Sequence, residues 1–159
     1  MPNFDVDVGA VRGVFVRHIP RGGDPLNQAP HPADGRWQHG SVIEAWYLAD
    51  EPPTAWAEWY RPLAGTGLPP ARALPRDLWR WSVDLEHVAL LDTEERLERG
   101  GLPMALPTEQ QWPAYQDVGD ALHREGHEGL LVVSAARPEH CNLDRGPEPG
   151  AQLACGRDP

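Results

Sequence analysis

Four polar residues stand along this chain where strands end or helices begin. Arg17 follows the run FV, Arg36 lies between the glycines of DGRWQHG (34–40), Glu58 sits inside TAWAEWY, and Ser134 closes LLVVS. Arginine's planar fork grips phosphate or carboxylate through paired N–H bonds. A carboxylate set among large aromatics can stabilise developing positive charge, or bond a hydroxyl, at a reacting sugar. Tyr47 or a tryptophan can stack on a planar ring. Taken singly, each residue has an ordinary structural role: a surface ion pair, a solvated helix face, core packing, the start of a turn. Together they describe a pocket for an aromatic, phosphate-bearing ligand, with one carboxylate in it.

The elements that must position these groups follow from periodicity and punctuation. GVFVRHI (13–19) reads as a strand ending at Pro20, and residues 20–35 as a long loop rich in Pro, Gly, Asn and Asp. AWYLA (45–49) is a short apolar strand. Asp50 is placed to cap the following helix, Pro52 and Pro53 suit its first turn, and the helix is expected to stop near Pro62. Residues 62–77 form a connector. LWRWSVDL (78–85) alternates with period two, placing Trp79, Trp81 and Val83 on one face. DTEERLERGG reads as a short helix stopped by Gly100 and Gly101. Residues 112–126 carry Trp112, Tyr115, Val118, Ala121 and Leu122 at helical spacing and stop at Gly126. GLLVVSAA (129–136) is a buried strand, and from Cys141 onward the chain is turn-rich. The sum is a single mixed α/β domain over residues 1–159, not a regular βαβ repeat, with an irregular tail at 144–159.

Composition narrows the chemistry further. The 159 residues suit one domain with a core of its own, and 18 Pro with 16 Gly imply many turns. The net charge of -10 disfavours nucleic acid or anionic membranes as partners of the surface at large. All 14 basic residues are arginine. A lysine Schiff base and a P-loop lysine are thereby excluded, and an anion site must use Arg or backbone N–H groups. Cys141 and Cys155 make no disulfide framework and fit a reducing compartment. No basic-then-apolar leader or membrane-length apolar run is present, so a cytoplasmic location is expected. No GxGxxG, P-loop or GxSxG motif occurs. His123 and His127 are separated by the helix-stopping Gly126, and His140, Cys141 and Cys155 lack compact zinc spacing. No metal is expected.

The succession FVRHI, DPL, DGRWQHG, AWYLADEPPTAWAEWY and EGLLVVSAARPEHCNL resembles the RES domain family, whose members are similar to the ADP-ribosyltransferase fold. The resemblance spans roughly residues 12–143. It implies an α+β domain with a central twisted sheet and peripheral helices. It also implies NAD as substrate and cleavage of the nicotinamide–ribose bond by a toxin neutralised by a cognate antitoxin. Arg17, Arg36, Tyr47, Glu58, Ser134 and Asn142 match the family's site residues. Arg17, Glu58 and Ser134 are then the expected catalytic residues. Arg36, Tyr47, Trp37 and Asn142 are expected to bind substrate, with Trp37 anchoring the loop that presents Arg36. Inorganic phosphate is the implied co-substrate, with water as the other possible acceptor. The implied partner is a helical DNA-binding antitoxin of the Xre type covering the pocket, with no direct nucleic-acid or membrane contact by this chain.

Two departures from the family pattern stand out. GRW continues with Gln38 where the family carries Asn, and the tail after Asn142 has little strand character. Two other functions use the same residues: transfer of ADP-ribose to a protein, and a catalytically silent binding module.

Overall fold

The computed structural model describes residues 4–104 and 111–146, with 154–157 described in backbone alone. In chain order the elements are β1 (Asp7–Pro20), β2 (Trp46–Ala49), α1 (Pro52–Thr66), a 3-10 turn (Pro70–Ala73), β3 (Arg76–Leu91), α2 (Glu94–Arg99), α3 (Trp112–Arg124), β4 (Gly129–Val133), β5 (Cys141–Arg145) and β6 (Ala154–Arg157).

The two longest strands organise the rest. β1 and β3 pair antiparallel from Asp7 opposite Leu90 to Pro20 opposite Arg76, with a bulge between Gly9 and Val11. β3 then pairs in parallel with β4, the helices α2 and α3 making the crossover that a parallel pair requires. β4 pairs antiparallel with β5, and β5 with β2. A bridge between Val16 and Ala49 returns β2 to β1 and closes a ring of five strands. β6 lies along the first half of β3.

Three apolar clusters follow from this topology. Alternation along β3 sends Trp81, Val83 and Leu85 to one face, where they meet Phe15, Trp46, Leu48 and Leu143. The end of β3 is buried on both faces, and Ala89 and Leu91 pack outward with Val132 against Leu97 of α2 and Tyr115, Val118 and Leu122 of α3. A small third cluster joins Ala55 of α1 to Val16 and Ala49, which seats α1 over the β1–β2 junction.

The mixed α/β class, the element order and the inward face of β3 agree with the sequence. The differences have physical reasons. β1 and β3 run well beyond 13–19 and 78–85, because pairing continues through polar positions whose side chains face solvent. Arg12, for example, bridges Asp84 and Glu86 across the two strands. Asp50 does not cap α1. Glu51 holds the N-cap position without a side-chain hydrogen bond, and Asp50 instead accepts from the His140 ring at 2.8 Å and from Cys141 N at 3.2 Å. With prolines in the first turn, fewer N–H groups need a cap. Nor does Pro62 end the helix, which continues to Thr66 and stops at Gly67 with φ 68°. Lastly, the chain after Cys141 is not irregular throughout, since β5 crosses the sheet and β6 pairs with β3. β5 was hidden by its polar residues, Asn142 and Asp144, which are nonetheless buried. The side chain of Cys155 lies outside the described residues.

Leu143 is fully enclosed within the ring. Leu143→Ala is expected to cost about 2–5 kcal/mol in denaturant unfolding, with an unchanged m-value.

Candidate active site

Glu58 is the convergence point. One of its carboxylate oxygens accepts from Ser134 Oγ at 2.6 Å, Asn142 Nδ2 at 3.0 Å and the Ala136 backbone N–H at 3.3 Å. These donors come from the end of β4, the turn after it and the start of β5. Ser134 Oγ in turn accepts from Arg137 N at 3.0 Å. The Arg137 guanidinium reaches back to Glu51 and to Thr54 Oγ1 at the start of α1. The SAAR segment and the first turns of α1 are therefore stitched together at both ends, and Glu58 is aimed by the result.

Two adjoining cavities meet at Tyr47, Glu58 and Asn142. The first, about 270 Å³, is lined by Arg17 and His18 of β1 and by Ala55 and Trp59 of α1. The second, about 480 Å³, is lined by Arg36, Trp37, Arg61 and Trp112 with apolar residues of β4. Arg17 and Arg36 thus sit in different chambers and do not grip one group together. The Arg17 guanidinium lies over the Trp46 ring, 5.5 Å from its centroid. Burial, with Arg76 nearby, pulls its pKa down, while Glu44 partly offsets this. A cation held at such a cost favours an anion beside it.

The loop carrying Arg36 is fixed by α3. Gln116 donates to the Gly35 carbonyl at 2.8 Å. Asp120 accepts from His39 N at 3.1 Å and faces His39 Nδ1 at 2.6 Å. Between these two side chains Gly119 lets the loop touch the helix backbone: a Cβ there would lie 1.8 Å from the Trp37 carbonyl oxygen. Gly40 is needed in the same way, since its Cβ would fall 2.0 Å from the Pro32 carbonyl. Trp37 is buried against Tyr115, edge to face at 4.8 Å, and anchors the loop as its sequence position implied. Gln38 uses its amide on Tyr47, whose hydroxyl donates to Gln38 Oε1 at 2.5 Å and accepts from Trp37 N at 3.3 Å.

Behind Tyr47 lies Asp144, its partner across the β2–β5 pair. Burial raises the Asp144 carboxyl to about 8, and its Oδ2 has no hydrogen-bond partner among the described residues. Burial also pushes the Tyr47 phenol well above its ordinary value, with Asp144 adding to the effect. Tyr47 is thereby kept as a neutral hydroxyl.

Of the seven expected site residues, Arg17, Arg36, Trp37, Tyr47, Glu58 and Asn142 line the cavities. Ser134 does not. It is fully buried, and its hydroxyl donates to Glu58. The sequence reading missed His18, Arg61, Gln116, Gly119 and Asp120. Gln116 and Asp120 interrupt the buried side of α3 with polar groups, which was the available signal. His18 stacks on Trp56 at 4.5 Å, and its Nδ1 accepts from Arg76 Nε at 2.6 Å. Its Nε2 must then carry the proton, and it donates to the Ala55 carbonyl at 3.1 Å. Burial depresses this ring to about 4. The neutral ring ties β1 to α1 just before Glu58. Among the described residues no cluster of three His, Cys, Asp or Glu is placed to hold a metal ion, and no helix is long and apolar enough to cross a membrane.

A mixed sheet closed on itself, with a clamped glutamate between two arginine-bearing chambers, defines the class of domain. The sequence matches the RES domain over residues 14–150, and the chain belongs to that family. No curated protein matches it significantly. Its fold is similar to a chain in the crystal structure of the M. tuberculosis MbcT–MbcA toxin–antitoxin complex. The TM-score is 0.74 at 22% identity, over 94% of this chain and 86% of that one.

Two outcomes test this architecture. Gly119→Ala should destabilise the protein by about 1–3 kcal/mol or more, because the clash is with backbone. Gly65→Ala, where a Cβ meets open space within α1, should stabilise it by about 0.5–1 kcal/mol. Thermal melts read both signs. For Asp144, the carboxyl ionises near 3.8 when unfolded and near 8 when folded. Between those values the unfolded state holds fewer protons, so wild-type stability falls as pH rises. The stability of Asp144→Asn relative to wild type should therefore climb from pH 4 to pH 8 in denaturant titrations.

Proposed function

We propose that this protein consumes NAD by breaking the bond between nicotinamide and ribose, with inorganic phosphate as the acceptor. The observation that carries the reading is the fixed Glu58 carboxylate at the meeting point of two chambers that each contain arginine. As the bond breaks, its electron pair goes to the pyridinium nitrogen and neutral nicotinamide departs. Positive charge builds on the ribose C1′ and O4′, where an immobile carboxylate stabilises the transition state more than the ground state. A phosphate oxygen then bonds C1′, giving ADP-ribose phosphate. Arg17 and Arg36 serve as separate anion holders on either part of the cleft. Tyr47 packs beside the reacting ribose, and Asn142 and Ser134 hold Glu58.

Family membership supports NAD as the substrate, and the structural neighbour's toxin–antitoxin complex supports a toxin restrained by an antitoxin. We assign that role to a helical DNA-binding protein that covers the cleft. Exposed Tyr60, Leu68 and Leu74, on α1 and the segment after it, offer apolar surface for such a partner.

Glu58→Gln keeps the size of the side chain and removes its charge. Nicotinamide release from NAD should fall about 10²–10³-fold while the far-UV circular dichroism is unchanged. Turnover by this variant at the wild-type rate would overturn the assignment of Glu58. Release by the wild type should depend on inorganic phosphate and yield ADP-ribose phosphate. Free ADP-ribose as the product would show water as the acceptor, and adenylate label on protein would show a transferase.

A further inference from the structure

The larger chamber contains more unsatisfied donors than the expected site residues account for. Arg36 Nη1 and Trp112 Nε1 are both buried without a hydrogen-bond partner among the described residues. Leaving a buried donor unpaired costs of the order of 1–3 kcal/mol, more where it is charged. Both residues line the same cavity. Arg61 lines it as well, one turn of α1 beyond Glu58. Its guanidinium makes no hydrogen bond or ion pair with any described residue. Its charge is affected by its surroundings all the same: burial and Arg36 lower its pKa, while Glu58 raises it. Glu58 is the only carboxylate in the described lining of this chamber. On a protein of net charge -10, a cavity lined by two arginines against one carboxylate is an electrostatic exception, even with the Arg36 guanidinium 5.7 Å from the Tyr115 ring centroid.

Arg36 and Arg61 come from different elements, the GRW loop and α1. Two forks from two directions suit a ligand with two adjoining phosphates better than a single tetrahedral anion. The smaller chamber, with the single Arg17, suits one anion. We propose that Arg61 is a substrate-binding residue that, with Arg36, holds the diphosphate bridge of the dinucleotide in the larger chamber, leaving the Arg17 chamber for inorganic phosphate. This rests on the reading of the protein as an NAD-cleaving enzyme. Trp112 supplies a further N–H at the same chamber. Arg61 was not legible from its local pattern, because an arginine three residues after a helical glutamate usually reads as a surface ion pair.

ADP carries the diphosphate but has no nicotinamide–ribose bond to cleave, so it reports binding without turnover. Calorimetric titration of ADP and of inorganic phosphate should be run on wild type, Arg61→Gln and Arg61→Lys, with NAD cleavage by the wild type measured in parallel. The expected result is about a tenfold loss of ADP affinity in Arg61→Gln, a smaller loss in Arg61→Lys, and unchanged inorganic phosphate affinity, with melting temperatures close to wild type. Equal ADP affinity in all three proteins would overturn the proposal. So would a loss of inorganic phosphate affinity matching that for ADP, since Arg61 would then belong to the co-substrate's site. NAD cleavage by wild type without ADP binding would overturn the chamber assignment alone. Absence of both would overturn the NAD-cleaving reading with it.

Discussion

The site depends on one carboxylate oxygen that accepts from three donors. Glu58 lies on a helix, and its donors lie on the β4–β5 segment at the far side of the cleft. A glutamate side chain free in water loses appreciable rotamer entropy when fixed. Hydrogen bonds to an ionised group contribute about 1.5–3 kcal/mol each, enough to outweigh that loss. The same bonds join α1 to the sheet, so the helix and the site are ordered together. Ser134 is buried and polar for this reason. Arg137 extends the arrangement by bonding Ser134 with its backbone and Thr54 with its side chain.

Around that anchor the protein sets cations and neutral groups by burial. Arg17 is held over Trp46 in an environment that disfavours its charge, while Asp144 and His18 are driven toward their neutral forms. Asp144, behind Tyr47 and outside the lining of both chambers, leaves Glu58 as the carboxylate of the cleft among the described lining residues. The neutral His18 avoids a third cation beside Arg17 and Arg76. In a chain of net charge -10, the positive character of the cleft is therefore local and built from particular arginines.

Much of this was legible where side-chain pattern and backbone demand coincide. The alternation of Trp79, Trp81 and Val83 revealed β3, and GRW revealed a loop with an anchored tryptophan. β5 was not legible. Its Asn142 and Asp144 have the polarity of surface residues, but in the fold Glu58 accepts from the first and burial raises the carboxyl of the second. The grip of α3 on the GRW loop was also hidden, because Gln116, Gly119 and Asp120 serve backbone atoms some eighty residues earlier. Asp50 was misread by a local rule. It stands before a helix, but the nearby His140 ring and Cys141 N–H, brought in by the sheet, compete for it. Local propensity placed the elements, and long-range hydrogen bonds decided which polar residues belong to the site.

The most direct test of the central claim is the crystal structure of Glu58→Gln with NAD bound. The nicotinamide ribose should lie at the junction of the two chambers, with C1′ in van der Waals contact with the residue 58 side chain and the residue 58 amide still bonded by Ser134 and Asn142. A dinucleotide bound elsewhere, or bound here with its nicotinamide–ribose bond remote from residue 58, would contradict it.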